Sequence, residues 1–371
     1  GDDPATFFDV LRSGDRLLHF PYQPFRHVGD FFRAASRDPA VEEIHLSIYR
    51  VSSASPILHA LETAAQQGKR VSVFVESKAR FDEAANLAWA EALEACGVSI
   101  THSFAELKVH AKIGLVARRE NGVRRLYAFL GTGNFNEETA RYYTDWGLLT
   151  GDPRLTGDVD RVFGYIAGSR PDPRPEHCLV APFTLRSGLA HAIDREIDEA
   201  RAGRPAAILA KMNALEDPGV IDHLIRAAAA GVDIRLLVRG ICRLVPESGP
   251  IAERIRIRSI VDRYLEHARV WVFHAAGRED IHLTSADWMT RNLDRRIEVA
   301  FPIHDPEARR RILGDLELQW SDNVKARRIG GGRTNERIRR SEDEPEIRAQ
   351  YLAHRPLRPD GTPGAADELP R

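Results

Sequence analysis

The chain has 371 residues, 43% of them hydrophobic and 29% charged, with a formal net charge of −1. That length accommodates two domains of ordinary size, each able to bury a core. The balanced charge argues against bulk binding to nucleic acid or a membrane surface, and no uncharged apolar run reaches the roughly 18 residues of a transmembrane helix, which leaves only peripheral membrane association open.

The chain opens Gly1-Asp2-Asp3-Pro4, neither a signal peptide nor a natural start, so a fragment of a longer chain is expected. Ile44 to Arg50 is an apolar, β-branched strand followed by Ser/Pro punctuation. Pro56 to Gln67 reads as an amphipathic helix stopped by Gly68, and Val71 to Val75 as a short buried strand. Next comes His110-Ala-Lys112 opening an apolar strand, then a second strand, the polar loop Leu130 to Asn136, and Asp145 heading another apolar run. The Pro-rich connector Gly168 to Pro175 marks a boundary.

Beyond it the same order returns. Ile208 to Leu215 is strand-like, Asp217-Pro218-Gly219 turns, Val220 to Ala230 is a helix capped by Gly231, and Ile234 to Val238 is a strand. His267-Ala-Arg269, the loop Leu283 to Met289 and Glu298 then match the first half in turn. Strand–helix alternation within each half predicts an α/β fold with a largely parallel or mixed central sheet, two α/β sandwich domains related by an internal repeat and facing each other across a pseudo-twofold axis. The expected domains are 1–170 and 176–328, with helix 306–321 closing the second and a weakly ordered tail over 329–371. Cys96, Cys178 and Cys242 lie far apart without metal-ligand spacing, which disfavours a disulfide framework or a zinc site and fits a reducing cytoplasm.

The two histidines carry the chemistry. With 14 His and six Lys in the chain, a His-x-Lys step is uncommon by chance, whereas 47 Arg make His-x-Arg commonplace. Only its place in the repeat gives His267-x-Arg269 weight. Neutral imidazole is a good nucleophile near pH 7 and can form a covalent phosphoramidate. Lys112, two residues along the strand, shares its face and can offset charge on a transferring phosphoryl group. Asp145 and Glu298 are candidates to fix the ring tautomers from neighbouring strands. Arg50, Arg80, Arg239 and Arg296 lie at or near strand ends, where open α/β sheets keep their sites, and guanidinium forks suit phosphate.

At these residues the chain resembles type 1 polyphosphate kinase over roughly positions 5 to 330. The resemblance rests on His19-Phe-Pro-Tyr22, Ile48-Tyr-Arg50, Lys78-Ala-Arg-Phe-Asp-Glu83, Leu107-Lys-Val-His-Ala-Lys112, Gly131-Thr-Gly-Asn-Phe-Asn136 and Tyr143-Thr-Asp145. Leu237-Val-Arg-Gly240, Ser259-Ile-Val-Asp-Arg-Tyr-Leu-Glu-His267 and Ser285-Ala-Asp-Trp-Met-Thr-Arg-Asn292 complete it. It implies two phospholipase D-like domains and reversible transfer of the ATP γ-phosphate to inorganic polyphosphate through a phosphohistidine. His110 is then the nucleophile and His267 the second histidine, beside the nucleotide phosphates and a general acid for the leaving ADP. Tyr143, Arg239 and Arg296 contact ATP, Asp145 and Glu298 pair with the histidines, and Arg50 and Arg80 belong to the magnesium site. Guanidinium has no lone pair for a metal, so those two arginines are expected to hold phosphates that in turn hold Mg²⁺. Members of the family carry an N-terminal domain that helps to bind adenine and a head domain that contributes to dimerisation, both ahead of this region, so a homo-oligomer is expected of the full-length protein. The alternatives are a phospholipase D-like phosphodiesterase and a catalytically idle polyphosphate-binding fragment.

Overall fold

The computed structural model describes residues 4–48, 55–76, 83–102, 107–246, 253–330 and 335–354, apart from the side chains of 83–88. The chain forms two compact units, Gly1–Leu185 with Asp294–Phe301, and Arg186–Leu293 with Pro302–Arg371.

The first unit contains β1 (Arg16–Phe20), β2 (Val41–Ile48), β3 (Arg70–Val75), β4 (Ser99–His102), β5 (Lys108–Val109), β6 (Lys112–Glu120), β7 (Val123–Gly131), β8 (Tyr143–Thr150) and β9 (Leu179–Ala181). Its main sheet runs β1-β8-β7-β6-β2-β3-β4. β2, β3 and β4 are parallel and joined through helices; the other neighbours are antiparallel. Asn121-Gly122 turns β6 into β7 with φ of 48° and 81°, the left-handed pair that a tight hairpin demands. Helices α1 (Pro4–Ser13), α2 (Arg26–Arg37), α3 (Pro56–Gln66), α4 (Glu83–Ala95) and α5 (Pro153–Ile166) complete the unit.

Strand alternation divides the helices between two faces. Ile44, Leu46 and Ile48 of β2 enter one core with Phe31 and Phe32 of α2 and Leu61 of α3. His45 points the other way, its ring 5.5 Å from that of Phe163 on α5. Helix starts follow from local chemistry: Ser55 accepts from the Ile57 N–H and Asp152 from that of Arg154, each followed by Pro in the first turn.

The second unit repeats this plan. After α6 (Leu185–Arg201) come β10 (Ala207–Met212), α7 (Pro218–Ala230), β11 (Asp233–Val238), β12 (Ile255–Ile260), β13 (Leu265–Glu266), β14 (Arg269–Phe273) and β15 (Asp280–Thr284). Next are β16 (Arg296–Pro302), whose residues up to Phe301 group with the first unit, and then β17 (Ala326–Ile329) and β18 (Asn335–Arg337). The order β12-β11-β10-β14-β15 reproduces β4-β3-β2-β6-β7, parallel and antiparallel pairs included. Gly231 ends α7 at φ 105°, the left-handed cap expected of it, and Asp217 caps the start through the Val220 N–H at 3.0 Å.

The composition over 329–371 reads as weakly ordered, yet residues 335–354 pack into the second unit; 331–334 and 355–371 lie outside the described residues. β17 pairs with β12 and β18 with β17, while Ala349 joins Ile260, Leu318 and Ala326 in a small apolar cluster. Among the described residues no helix is long and apolar enough to cross a membrane.

Candidate active site

His110 occupies the bend between β5 and β6, where the backbone is fastened on three sides. Its N–H and that of Ala111 both donate to Ile297 O at 2.9 Å. The buried Glu76 carboxylate accepts from the Val109 N–H at 3.1 Å, and the Ser47 hydroxyl donates to Ala111 O at 2.8 Å. β5 runs parallel to β16 with Lys108 opposite Arg296, a register that brings Glu298 alongside the imidazole.

Nδ1 of His110 lies 2.9 Å from both oxygens of Glu298, whose side chain is wholly buried, while that of His110 is 14% exposed. A carboxylate accepts only, so Nδ1 carries the proton and the ring's lone pair sits on Nε2. Burial lowers the His110 pKa to about 4, against the opposing pull of Glu298, and the Lys112 and Arg296 cations lower it further. The ring is therefore neutral at pH 7. Lys112 is buried and donates to His110 O, so this ammonium braces the backbone of the histidine; His110 itself stands in the bend ahead of β6, not on a strand face shared with Lys112.

Asp145 is also buried, on β8, and its Oδ1 accepts from the Thr132 hydroxyl at 2.5 Å. Gly133 makes that placement possible: a Cβ there would stand 2.2 Å from Asp145 Oδ2. Next to it Trp146 stacks on His19, with centroids 3.6 Å apart and planes 11° from parallel. Tyr143, at the start of β8, is half-buried.

In the second unit His267 occupies the equivalent bend, between β13 and β14. Arg269 is buried; its Nη1 lies 3.0 Å from His267 Nε2 and donates to His267 O at 2.7 Å. Guanidinium cannot accept, so Nε2 of His267 is the acceptor and a neutral ring carries its proton on Nδ1. The other edge of Arg269 binds Asp287 through two bonds of 3.2 and 2.9 Å. Burial alone would raise the Asp287 pKa, but Arg269 and the Ala214 N–H hold it at about 2. Arg239 donates to the Asn213 side-chain oxygen at the end of β11.

Behind His267 lies a buried polar cluster. Lys211 pairs with Glu266, and Gln350 donates to the second Glu266 oxygen at 2.6 Å. Gln350 also clasps Tyr264, donating to its carbonyl at 2.8 Å and accepting from its N–H at 2.7 Å. Nearby Asp315 is driven up to about pH 7, chiefly by burial and further by Glu266, with Lys211 opposing.

The structure thus gathers His110, Lys112, Glu298 and Arg296 in the first unit, which also holds Tyr143 and Asp145, and it places His267 and Arg239 in the second. Arg50 and Arg80 lie outside the described residues. Sequence reasoning did not single out Glu76 or Ser47 as fasteners, nor Lys211, Glu266, Asp287 and Gln350. Two of these had a signal: Asp287 stands opposite Asn134 in the repeat, and Lys211 is one of only six lysines, set in an apolar strand. Among the described residues no group of three His, Cys, Asp or Glu side chains could hold a metal ion.

Comparison with known proteins gives this geometry a context. Residues 6–172 match the family model for polyphosphate kinase C-terminal domain 1, and residues 178–350 that for C-terminal domain 2. Polyphosphate kinase of Escherichia coli K12 is 46% identical over 355 residues, covering 95% of this chain and 52% of the relative. That of Yersinia pestis is 47% identical, covering 94% and 50%. The crystal structure of polyphosphate kinase from Porphyromonas gingivalis superposes with a TM-score of 0.88 at 43% identity, over 93% of this chain and 53% of that one. The chain therefore spans about half the length of the relatives it matches. Phosphatidylserine synthase of Haemophilus influenzae aligns with a TM-score of 0.57 over 88% of this chain and 92% of its own; at 11% identity it shares the fold alone.

Proposed function

This chain belongs to the polyphosphate kinase family, whose two phospholipase D-like C-terminal domains it carries, and we propose that it performs the phosphoryl transfer that the family name describes. Nε2 of His110 attacks the γ-phosphorus of ATP in line. A P–N bond forms as the bond to the β,γ-bridging oxygen breaks, and ADP departs. The terminal phosphate oxygen of a polyphosphate chain then attacks the phosphohistidine, restoring the neutral ring and lengthening the polymer by one unit. In reverse the same steps make ATP.

The contrast between the two rings carries this reading. Glu298 holds His110 as the tautomer with its lone pair on Nε2, and burial keeps the ring uncharged at neutral pH. On His267 the corresponding nitrogen accepts from Arg269, which draws electron density away from it. His267 is assigned the complementary role of general acid for the leaving ADP. Lys112, Arg239 and Arg296 supply positive charge for phosphate oxygens, Tyr143 is assigned to the nucleotide, and Asp145 to orienting a histidine.

Mg²⁺ fits this scheme as a companion of the nucleotide phosphates. The arginines expected at its site have no lone pair to ligate it. A cytoplasmic location and a homo-oligomeric full-length protein belong to the same reading. Incubation with γ-labelled ATP and Mg²⁺ is expected to leave an acid-labile, base-stable label that is lost in His110→Ala. An unlabelled protein that releases fragments from a phosphodiester would favour the phosphodiesterase reading instead.

A further inference from the structure

The edge of the second unit's sheet carries an arrangement that the catalytic reading does not use. Arg258 on β12 stands directly opposite Arg328 on β17, and Arg327 opposite Arg337 on β18. Like charges facing each other across a strand pair destabilise a sheet unless something offsets them. On the same face of β12 as Arg258, Arg256 neighbours Arg235 of β11.

Carboxylates offset only part of this row. Glu317 binds Arg235 and Asp233 binds Arg256, with closest approaches of 2.6 Å. Arg328 reaches Glu336 at 3.6 Å, and the negative charge of Asp322 favours the Arg258 cation. Arg258 lies over the Trp320 ring, 4.5 Å from its centroid, and donates to Trp320 O, so its cation is held in place. Arg337 and Arg339 are exposed and have no acidic partner among the described residues. Together Arg258, Arg328, Arg337 and Arg339 line a groove of about 1000 Å³ in which Glu336 is the acidic lining residue.

We propose that this groove binds inorganic polyphosphate as an anchorage away from the reacting terminus, an inference that rests on the catalytic reading for the identity of the polymer. Guanidinium forks at neighbouring strand positions suit a chain whose every unit presents charged oxygens. The lining argues against single-stranded nucleic acid, whose binding grooves offer aromatic faces for base stacking: the remaining walls are Val324 and Ile338. A polyanion bound there also relieves the repulsion between Arg258 and Arg328, which both line the groove.

The test is direct binding of long-chain sodium polyphosphate to the protein without nucleotide, across a range of salt concentrations. Arg337→Gln with Arg339→Gln is expected to weaken binding about tenfold or more and to lower the salt slope by roughly 0.7 per guanidinium removed. Both side chains are exposed, so thermal unfolding stays at the parent value. Unchanged affinity in this variant overturns the proposal, as does single-stranded DNA binding the parent as tightly as polyphosphate. Labelling from γ-labelled ATP is read separately and is expected to persist in the variant. A parent protein that takes no label counts against the catalytic reading alone and leaves the binding result standing.

Discussion

Glu298 accepts a hydrogen bond from Nδ1 of His110 at 2.9 Å across 188 positions of sequence, from a strand that the internal repeat places in the other half of the chain. The pairing fixes one tautomer of a neutral ring and buries the carboxylate that fixes it. Glu298→Gln keeps the shape of the site but lets the amide present an N–H to Nδ1, favouring the wrong tautomer. Formation of the phosphohistidine is expected to slow by about 100-fold or more, with little change in thermal unfolding. Rapid-quench labelling measures the first and a thermal melt the second.

The acid limb of the reaction follows from the same ring. In the proposed mechanism the nucleophile is the neutral His110 ring, whose pKa lies at about 4, so labelling should hold steady as pH falls through 6.5 and decline only towards 4. Stability has a matching sign. Between about 4 and the unfolded value of 6.5 the unfolded chain binds the proton and the folded one does not, so this contribution is lost as pH falls through that window. His110→Gln should flatten that part of the stability profile, as measured by urea unfolding at a series of pH values.

Much of this fold could be read from the sequence because each half repeats the same local signals. Helix starts with Ser or Asp before Pro, left-handed glycine stops and apolar strands fall in the same order twice, and Asp217, Gly68 and Gly231 behave as their residue types require. Glu298 could be named from the sequence as a histidine-pairing carboxylate, but not which of the two histidines it pairs with. Within one half Asp145 is the nearer candidate, and only three-dimensional strand pairing brings β16 beside β5. Gln350 was hidden for a different reason: it lies in a polar, arginine-rich stretch whose composition resembles a solvated tail, and its importance comes from hydrogen bonds to Tyr264 and Glu266.

Gly133 is a second point of steric control. Gly133→Ala would force its methyl into the Asp145 carboxylate and disturb the bond from Thr132. A loss of about 1–3 kcal/mol is expected, measured by chemical denaturation.

Gln350→Ala should destabilise the second unit by about 1–3 kcal/mol, because it removes a hydrogen bond to the buried Glu266 and the two bonds that tie Gln350 to the Tyr264 N–H and carbonyl. The same denaturation series measures it.

Asp315 contributes with the opposite pH sign. Its folded pKa is raised from 3.8 to about 7, so stability is fully present below the unfolded value and is lost as pH rises through that interval. Asp315→Asn still accepts the bond from Gln319, removes the ionisation cost and should flatten stability between pH 4 and 7. Unfolding midpoints at both ends of that range test it.

The most direct test of the central claim is to find the atom that carries the phosphoryl group. Protein labelled briefly with γ-labelled ATP is digested under base-stable conditions, and the phosphopeptide is mapped by mass spectrometry and phosphorus NMR. The geometry predicts phosphate on Nε2 of His110. Phosphate on His267, or on Nδ1 of His110, would contradict it.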